Sequence, residues 1–276
     1  MINALSIDVE DWFQVSDFEE KVKRPDWAQY EGRVVQNTGR LLELLRQYQV
    51  RATFFILTWN AERFPELVQQ IDEDGHEIAT HGYHHHLIYE QTPDEFRADV
   101  VRSLHILQGL TGKKILGYRA PSFSITRQSL WALDVLLDLG LAYDSSIFPI
   151  RDPLYGISHS DRFPYVIRDK DGRRLVEFPM STVQLRRWNL PLGGGAYLRL
   201  LPYQYFRWGI NQLNRQGRPA IVYLHPWEID PGQPRLRVRG KRGYSSHYLR
   251  LQAMEGKLRR LLDDFRFAPI REVLAL

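Results

Sequence analysis

Apolar positions along this chain recur in two rhythms that alternate from one end to the other. Leu5, Ile7 and Val9 repeat every second residue and predict a first strand, Leu5–Val9, that runs straight into carboxylates. Leu41, Leu42, Leu44, Leu45 and Tyr48 share a face at helical spacing, and the β-branched and aromatic run Arg51–Leu57 reads as a buried strand. A helix over Glu62–Glu73 ends at Gly75, and Glu77–Thr80 forms the next strand. Thr92, Pro93 and Glu95 spell a helix start with a capping box, and that helix runs to about Leu110 before Gly112. Beyond it the pattern predicts a strand at Ile115–Arg119 and a helix from Ser129 to Leu139, then a short strand at Leu175–Phe178. A helix at Tyr203–Gln216, a late strand at Ala220–His225 and a last helix from about His247 to Phe265 complete it. Parallel strands need long crossovers, so alternation of this kind implies an α/β fold with a parallel sheet. In such folds chemistry gathers at the C-terminal strand ends.

Composition narrows the chemistry. Of 276 residues, 43% are hydrophobic and 25% charged, as in an ordinary globular protein with a sizeable core. There is no cysteine, so disulfides and thiolate metal sites are excluded and any metal must use His, Asp or Glu. The net charge is only +4, but Arg235, Arg237, Arg239, Lys241 and Arg242 cluster. They read either as a solvated loop or as a surface for an anionic polymer or membrane face. No recognition motif supports nucleic acid. The first residues lack the pattern of a secretory signal, and no apolar run reaches the roughly 20 residues of a membrane span, so the expected location is cytoplasmic.

The unusual polar residues fall at strand ends. Four histidines occupy six positions in His81-Gly82-Tyr83-His84-His85-His86, directly after a strand. On one helical turn, His81 and His85 would face the same side and could share a metal; the plain alternative is a histidine-rich surface turn. Asp8, Glu10 and Asp11 follow the first strand, and three carboxylates so close are costly without a cation unless they form a solvated acidic turn. One of them would complete a two-histidine, one-carboxylate set and another would act as general base. Arg119 fits an ion pair with the base, and His225, closing the run Ile221–Leu224, is a candidate general acid. Among the aromatic residues, Trp12, Trp59, Trp188 and Trp227 sit in loops or near strand ends, and Trp12 and Trp227 are candidates for stacking on sugar rings. Leu192–Ala196 lacks the lysine of a phosphate loop and reads as a mobile loop over the site.

Together these motifs resemble the polysaccharide deacetylase family, the NodB-homology proteins of carbohydrate esterase family 4, and are nearest its exopolysaccharide-locus and peptidoglycan-deacetylase-like branch. The resemblance runs from Leu5 to about Trp227. It implies a distorted (β/α) barrel with about seven parallel strands, forming one domain over residues 1–276 with a branch-specific segment from about residue 230. It gives Asp8 the role of base, His81 and His85 as metal ligands, and Glu10, or Asp11 if the loop bulges, as the third. Gly82 stands where the family carries a hydroxyl residue. Arg119-Ala120-Pro121 matches the motif whose following backbone N–H, here that of Ser122, serves as oxyanion donor. Asp144–Pro149 suggests a fourth motif, and Leu224-His225 matches the acid, with Trp227 beside it. The implied cofactor is one divalent metal, most simply Zn²⁺, with Co²⁺ or Ni²⁺ as alternatives. The implied reaction is removal of acetyl groups from an N-acetylglucosamine-type polysaccharide or a lipid-linked oligosaccharide at the inner membrane face. The rival readings are an allantoinase-like hydrolase of a small cyclic amide and a glycan-binding scaffold without turnover.

Overall fold

A computed structural model of the chain describes residues 1–152, 155–236 and 246–276. The first half alternates as its apolar pattern predicts. β1 (Ile2–Val9), α1 (Val34–Gln47) and β2 (Thr53–Ile56) are followed by α2 (Thr58–Arg63) and α3 (Pro65–Glu73). Pro65 opens α3 and splits the single helix expected over Glu62–Glu73 into two. β3 (Glu77–Thr80), α4 (Pro93–Thr111), β4 (Gly117–Tyr118), α5 (Trp131–Asp138) and β5 (Tyr143–Asp144) come next. The Thr92–Glu95 capping box is fully formed at the start of α4. The second half contains β6 (Tyr165–Lys170), β7 (Arg173–Glu177), the hairpin β8 (Thr182–Leu185) and β9 (Trp188–Pro191), α6 (Ala196–Leu200) and α7 (Tyr203–Arg215). It closes with β10 (Ile221–Leu224), α8 (Leu251–Asp264), β11 (Arg266–Ala268) and α9 (Ile270–Val273).

The sheet runs β10-β1-β2-β3-β4-β5-β7-β6, with β11 also paired to β1. Seven of these strands, β10 through β7, follow one another in parallel, and only β6 is antiparallel. The fold is the distorted α/β barrel. Between β10 and β7 it closes without a regular ladder: the Ile221 amide donates to Ser181 Oγ (2.7 Å) and the Tyr223 amide to the Gly193 carbonyl (2.7 Å).

Each strand divides its residues by parity. Leu5, Ile7, Phe54, Ile78, Tyr118, Val222 and Leu224 pack outward into the helical layer. Ala4, Phe55, Ala79, Tyr143, Ile221 and Tyr223 form the inner cluster. A fully buried side chain of this size contributes about 1.5–3 kcal/mol, so a register slip on any strand is costly. Gly117 faces inward because a Cβ there would lie 2.0 Å from the Tyr143 ring. The same period of two carries Ser6, Asp8, His81, Arg119 and His225 to the interior at or beside the C-terminal strand ends.

Candidate metal centre

Three side chains converge at the barrel mouth. Glu10 Oε1 lies 2.7 Å from His81 Nε2 and 3.1 Å from His85 Nε2, and one ligand atom from each of the three falls within 4.8 Å of the other two. All three residues are buried. His81 Nδ1 donates to the Arg119 carbonyl at 2.8 Å, which leaves Nε2 as the lone-pair atom aimed at Glu10. A lone pair and a carboxylate oxygen repel at this distance, so the geometry calls for positive charge between them, a proton or a metal ion. Burial disfavours charge on Glu10, yet the facing His85 and His81 hold its carboxyl well below the usual range.

The histidine pair does not meet on a helical turn, as its spacing suggested. Residues 81–87 are irregular, with Gly82 at φ +72° and His85 at φ +57°. Alternation ends at His81, and two left-handed residues fold the chain back so that the fourth residue on returns to the same point. Asp99 of α4 pins the loop by accepting from the Tyr83 (2.8 Å) and His84 (3.3 Å) amides, and Thr58 Oγ1 donates to the Gly82 carbonyl (3.0 Å). A Cβ on Gly82 would sit 2.8 Å from Asp99 Oδ2, so the glycine admits this brace and supplies the positive φ.

Asp11 stands outside the cluster, which corrects its place as an alternative ligand. Its carboxylate accepts from the backbone amides of Trp12 (2.8 Å), Arg33 (2.7 Å) and Val34 (3.0 Å), capping the N-terminus of α1. Burial outweighs these bonds and raises its pKa to about 6. A tight turn, in which the Glu10 amide donates to the Asp8 carbonyl (2.9 Å), precedes this outward step.

Arg119 is wholly buried and has partners on every side. It donates to Asp8 Oδ1 (2.6 Å), Ser6 Oγ (2.8 Å), the Ser145 carbonyl (3.0 Å) and Ser145 Oγ (3.0 Å), with Phe55 beneath the guanidinium. A buried charge is tolerable only with such satisfaction. Pro121 opens a short turn, Pro121–Phe123, in which Ser122 (φ 50°, ψ 27°) and Phe123 (φ 54°) are both left-handed. Strained backbone of this kind persists where its surroundings over-determine it. Ser122 Oγ is tied to Ser16 Oγ at 2.7 Å.

His225 faces the triad from β10. Its Nδ1 lies 3.1 Å from Glu228 Oε2, whose second oxygen accepts from Arg199 Nε at 2.6 Å. Burial works against a charged imidazole, but the Glu228 hydrogen bond and the carboxylates of Glu10, Glu228 and Asp8 raise its pKa to about 9. Glu228 is held at about 2: burial is outweighed by Arg199 and His225. Sequence reasoning missed both partners. Glu228 lay within reach, since His225-x-x-Glu228 is a capping-box spacing over a turn that begins with proline. Arg199, on α6, gives no local signal.

A cavity of about 360 Å³ joins these groups. Asp8, the triad, Ser122 and His225 line one side; Phe148, Tyr155, Tyr197 and Tyr223 line another. Trp227 borders it but offers no face to a sugar, because it is 5% exposed and stacked by His225 (5.1 Å) and His247 (4.0 Å). Its buried Nε1 has no partner among the described residues. Trp12 is also buried, its Nε1 donating to the Glu31 carbonyl. Asp144 does not reach the cavity. It is buried beside Glu177, where burial raises both carboxyls, Asp144 to about 6 and Glu177 well above its usual range. The glycine run of Leu192–Ala196 is fastened rather than loose: Gly193 and Gly195 bracket Tyr223 with two backbone hydrogen bonds, and a Cβ on Gly194 would lie 2.0 Å from the Tyr223 carbonyl. Of the basic cluster, 237–242 lies outside the described residues; Arg235 packs over Tyr248.

Residues 27–143 match the polysaccharide deacetylase family model. Over that segment the chain is similar to the polysaccharide deacetylase family. Residues 145–275 match a second model, a domain of unknown function (DUF3473), so the deacetylase match ends before β6 and the second begins with Ser145. A peptidoglycan deacetylase of Helicobacter pylori is 29% identical over 157 residues, covering 57% of this chain and 48% of that protein. The chain thus spans about half the length of this curated relative. Among solved structures, one from Mycobacterium smegmatis assigned as a polysaccharide deacetylase aligns at TM-score 0.67 and 22% identity, covering 99% of this chain and 88% of the other. An allantoinase aligns nearly as well, at TM-score 0.65 and 14% identity over 99% and 88%. Both likenesses concern the fold alone. Among the described residues no helix is long and apolar enough to cross a membrane.

Proposed function

We propose that this chain removes acetyl groups from an N-acetylglucosamine-type polysaccharide, using one divalent metal held by Glu10, His81 and His85. The observation that carries the reading is the pair of groups flanking the triad: Asp8 paired with Arg119 on one side, and His225 paired with Glu228 on the other. Amide hydrolysis needs both a base and an acid, because an amide nitrogen leaves poorly unless protonated.

The donor set suits a divalent ion: two imidazole Nε2 atoms and one carboxylate, buried and aimed at one point. When bound, such an ion would polarise an acetamide carbonyl and lower the pKa of water to about 7. The chain's own groups do the rest. Asp8, ion-paired with Arg119, accepts the proton of the attacking water. The backbone N–H of Ser122, a residue of the left-handed turn that lines the cavity, serves as donor to the developing oxyanion, usually a large electrostatic contribution. His225, whose Nδ1 is held by the Glu228 carboxylate that raises its pKa, gives its proton to the departing amine. Products are acetate and a free amino sugar.

The test is acetate release from N-acetylglucosamine oligomers by the metal-loaded protein, beside hydrolysis of a cyclic ureide. Acetate release without ureide hydrolysis is expected. Ureide hydrolysis alone would favour the small-amide reading, and oligomer binding with neither activity would favour a scaffold without turnover.

A further inference from the structure

A second groove opens on the far side of the His81–His86 loop. It holds about 560 Å³, more than the cavity at the triad, and nothing in the deacetylation chemistry uses it. Trp59 lines it together with Lys23, Arg24, Arg63, His84 and His86. Its lining contains one carboxylate, Glu19, which Arg24 already bridges at 2.5 Å. Lys23 and Arg63 form no ion pair among the described residues, and Arg63 lies over the Trp59 ring at 4.8 Å. Burial and the charges of Arg24 and His84 depress protonation of His86, against the opposing carboxylates of Asp99 and Glu19.

Lys23, without an ion pair among the described residues, and Arg63, stacked on the partly exposed Trp59 indole, line the same groove and form a specific chemical complement. The part of the indole that Arg63 and Trp27 leave uncovered offers apolar contact to a pyranose, and the cations offer charge to a carboxylate. Inorganic anions would need the charge but not the indole or the volume. Position adds the remaining constraint. A cavity of only about 10 Å³ lies between the two sites, sharing Ser16 and His85 with the triad cavity and Glu19 and Arg24 with the groove. It is too small for a sugar, so a chain reaching both sites passes over the Ser16–Glu19 turn.

We propose that this groove binds a carboxylate-bearing sugar residue of the same glycan, flanking the unit that is deacetylated. The substrate class is therefore an acidic, partly N-acetylated heteropolysaccharide. This inference rests on the glycan reading of the triad, but its test does not require turnover.

The full chain is titrated with tetragalacturonate, which carries no acetyl group, and with neutral cellotetraose, following Trp fluorescence and calorimetry. The acidic oligomer should bind more tightly, with an advantage that shrinks as salt rises. Lys23→Gln/Arg63→Gln should weaken it by about fivefold to tenfold, as expected for two partly exposed ion pairs, while cellotetraose binding is unchanged. Trp59→Ala should weaken both ligands. Equal binding of the two oligomers, or an acidic preference that survives Lys23→Gln/Arg63→Gln, would overturn the assignment. Acetate release from neutral N-acetylglucosamine oligomers should be unaltered in the double variant, so failure of the groove and failure of the deacetylase reading give different results.

Discussion

The two halves of the site are built in different ways. The β1–β5 side draws Asp8, Glu10, His81, His85 and Arg119 from the ends of β1, β3 and β4 and the loop after β3, each braced by a neighbouring strand or loop. The β10 side presents one group, His225, and supports it with a buried ion pair whose members lie far apart in sequence: Arg199 on α6 and Glu228 after β10. Strand register aims Asp8, His81 and Arg119, whereas His85 also depends on Asp99 of α4, which pins the loop that carries it. The β10 side depends on α6 keeping its place, which the Gly193–Gly195 attachment to Tyr223 secures.

This contrast can be broken at several points. The largest effect is expected on the strand-end side: His81→Ala or His85→Ala should abolish both metal uptake and acetate release, read by metal analysis and end-point assay. His225→Ala should keep the metal and lower turnover by about 10²- to 10⁴-fold, the usual contribution of a positioned proton donor. Metal loss in that variant would remove the distinction between the halves. Arg199→Ala removes one of the two cations that hold the buried Glu228, and should cost about 3–5 kcal/mol in denaturant unfolding, far more than a surface arginine.

Glu228→Gln sharpens the comparison through pH. The Glu228 carboxylate raises the pKa of His225, so its acid form persists to higher pH and the rate falls as pH rises through that raised value. Without the Glu228 charge, the alkaline limb of kcat/KM should move down by about one pH unit. An unmoved limb would separate Glu228 from the proton donor. The smallest effect belongs to Asp11. Asp11→Ala should cost about 1–2 kcal/mol by removing a helix cap, and metal binding should be retained. Asp11→Asn should cost less, since it keeps an acceptor and removes a charge whose burial raises its pKa to about 6.

Much of this site was legible because inward parity and strand ends coincide. Asp8, His81, Arg119 and His225 each close or follow a short apolar run, and the same pattern that predicts the strand predicts the direction of the next polar side chain. The choice between Glu10 and Asp11 was not legible. It depends on which carboxylate meets the amides of Arg33 and Val34, more than twenty residues away. His81 and His85 were found at the correct spacing by an incorrect geometry, since a helical repeat and a loop with two left-handed residues can return to the same point. The glycine run at 193–195 reads as a loop because glycine gives no periodic signal, while its close approach to Tyr223 is a tertiary fact. The same holds for Arg199. The aromatic residues misled most: Trp12 and Trp227 are buried, while Trp59, given no role in the sequence, borders an open groove.

The central claim is that Glu10, His81 and His85 hold one divalent ion on which acetate release depends. The most direct measurement is titration of chelator-stripped protein with Co²⁺ or Zn²⁺, with bound metal and acetate release read on the same samples. Activity should return in step with one ion per chain, Glu10→Ala should lose both signals, and Asp11→Asn should keep both. Undiminished acetate release by the stripped protein, or by Glu10→Ala with no ion bound, would contradict it.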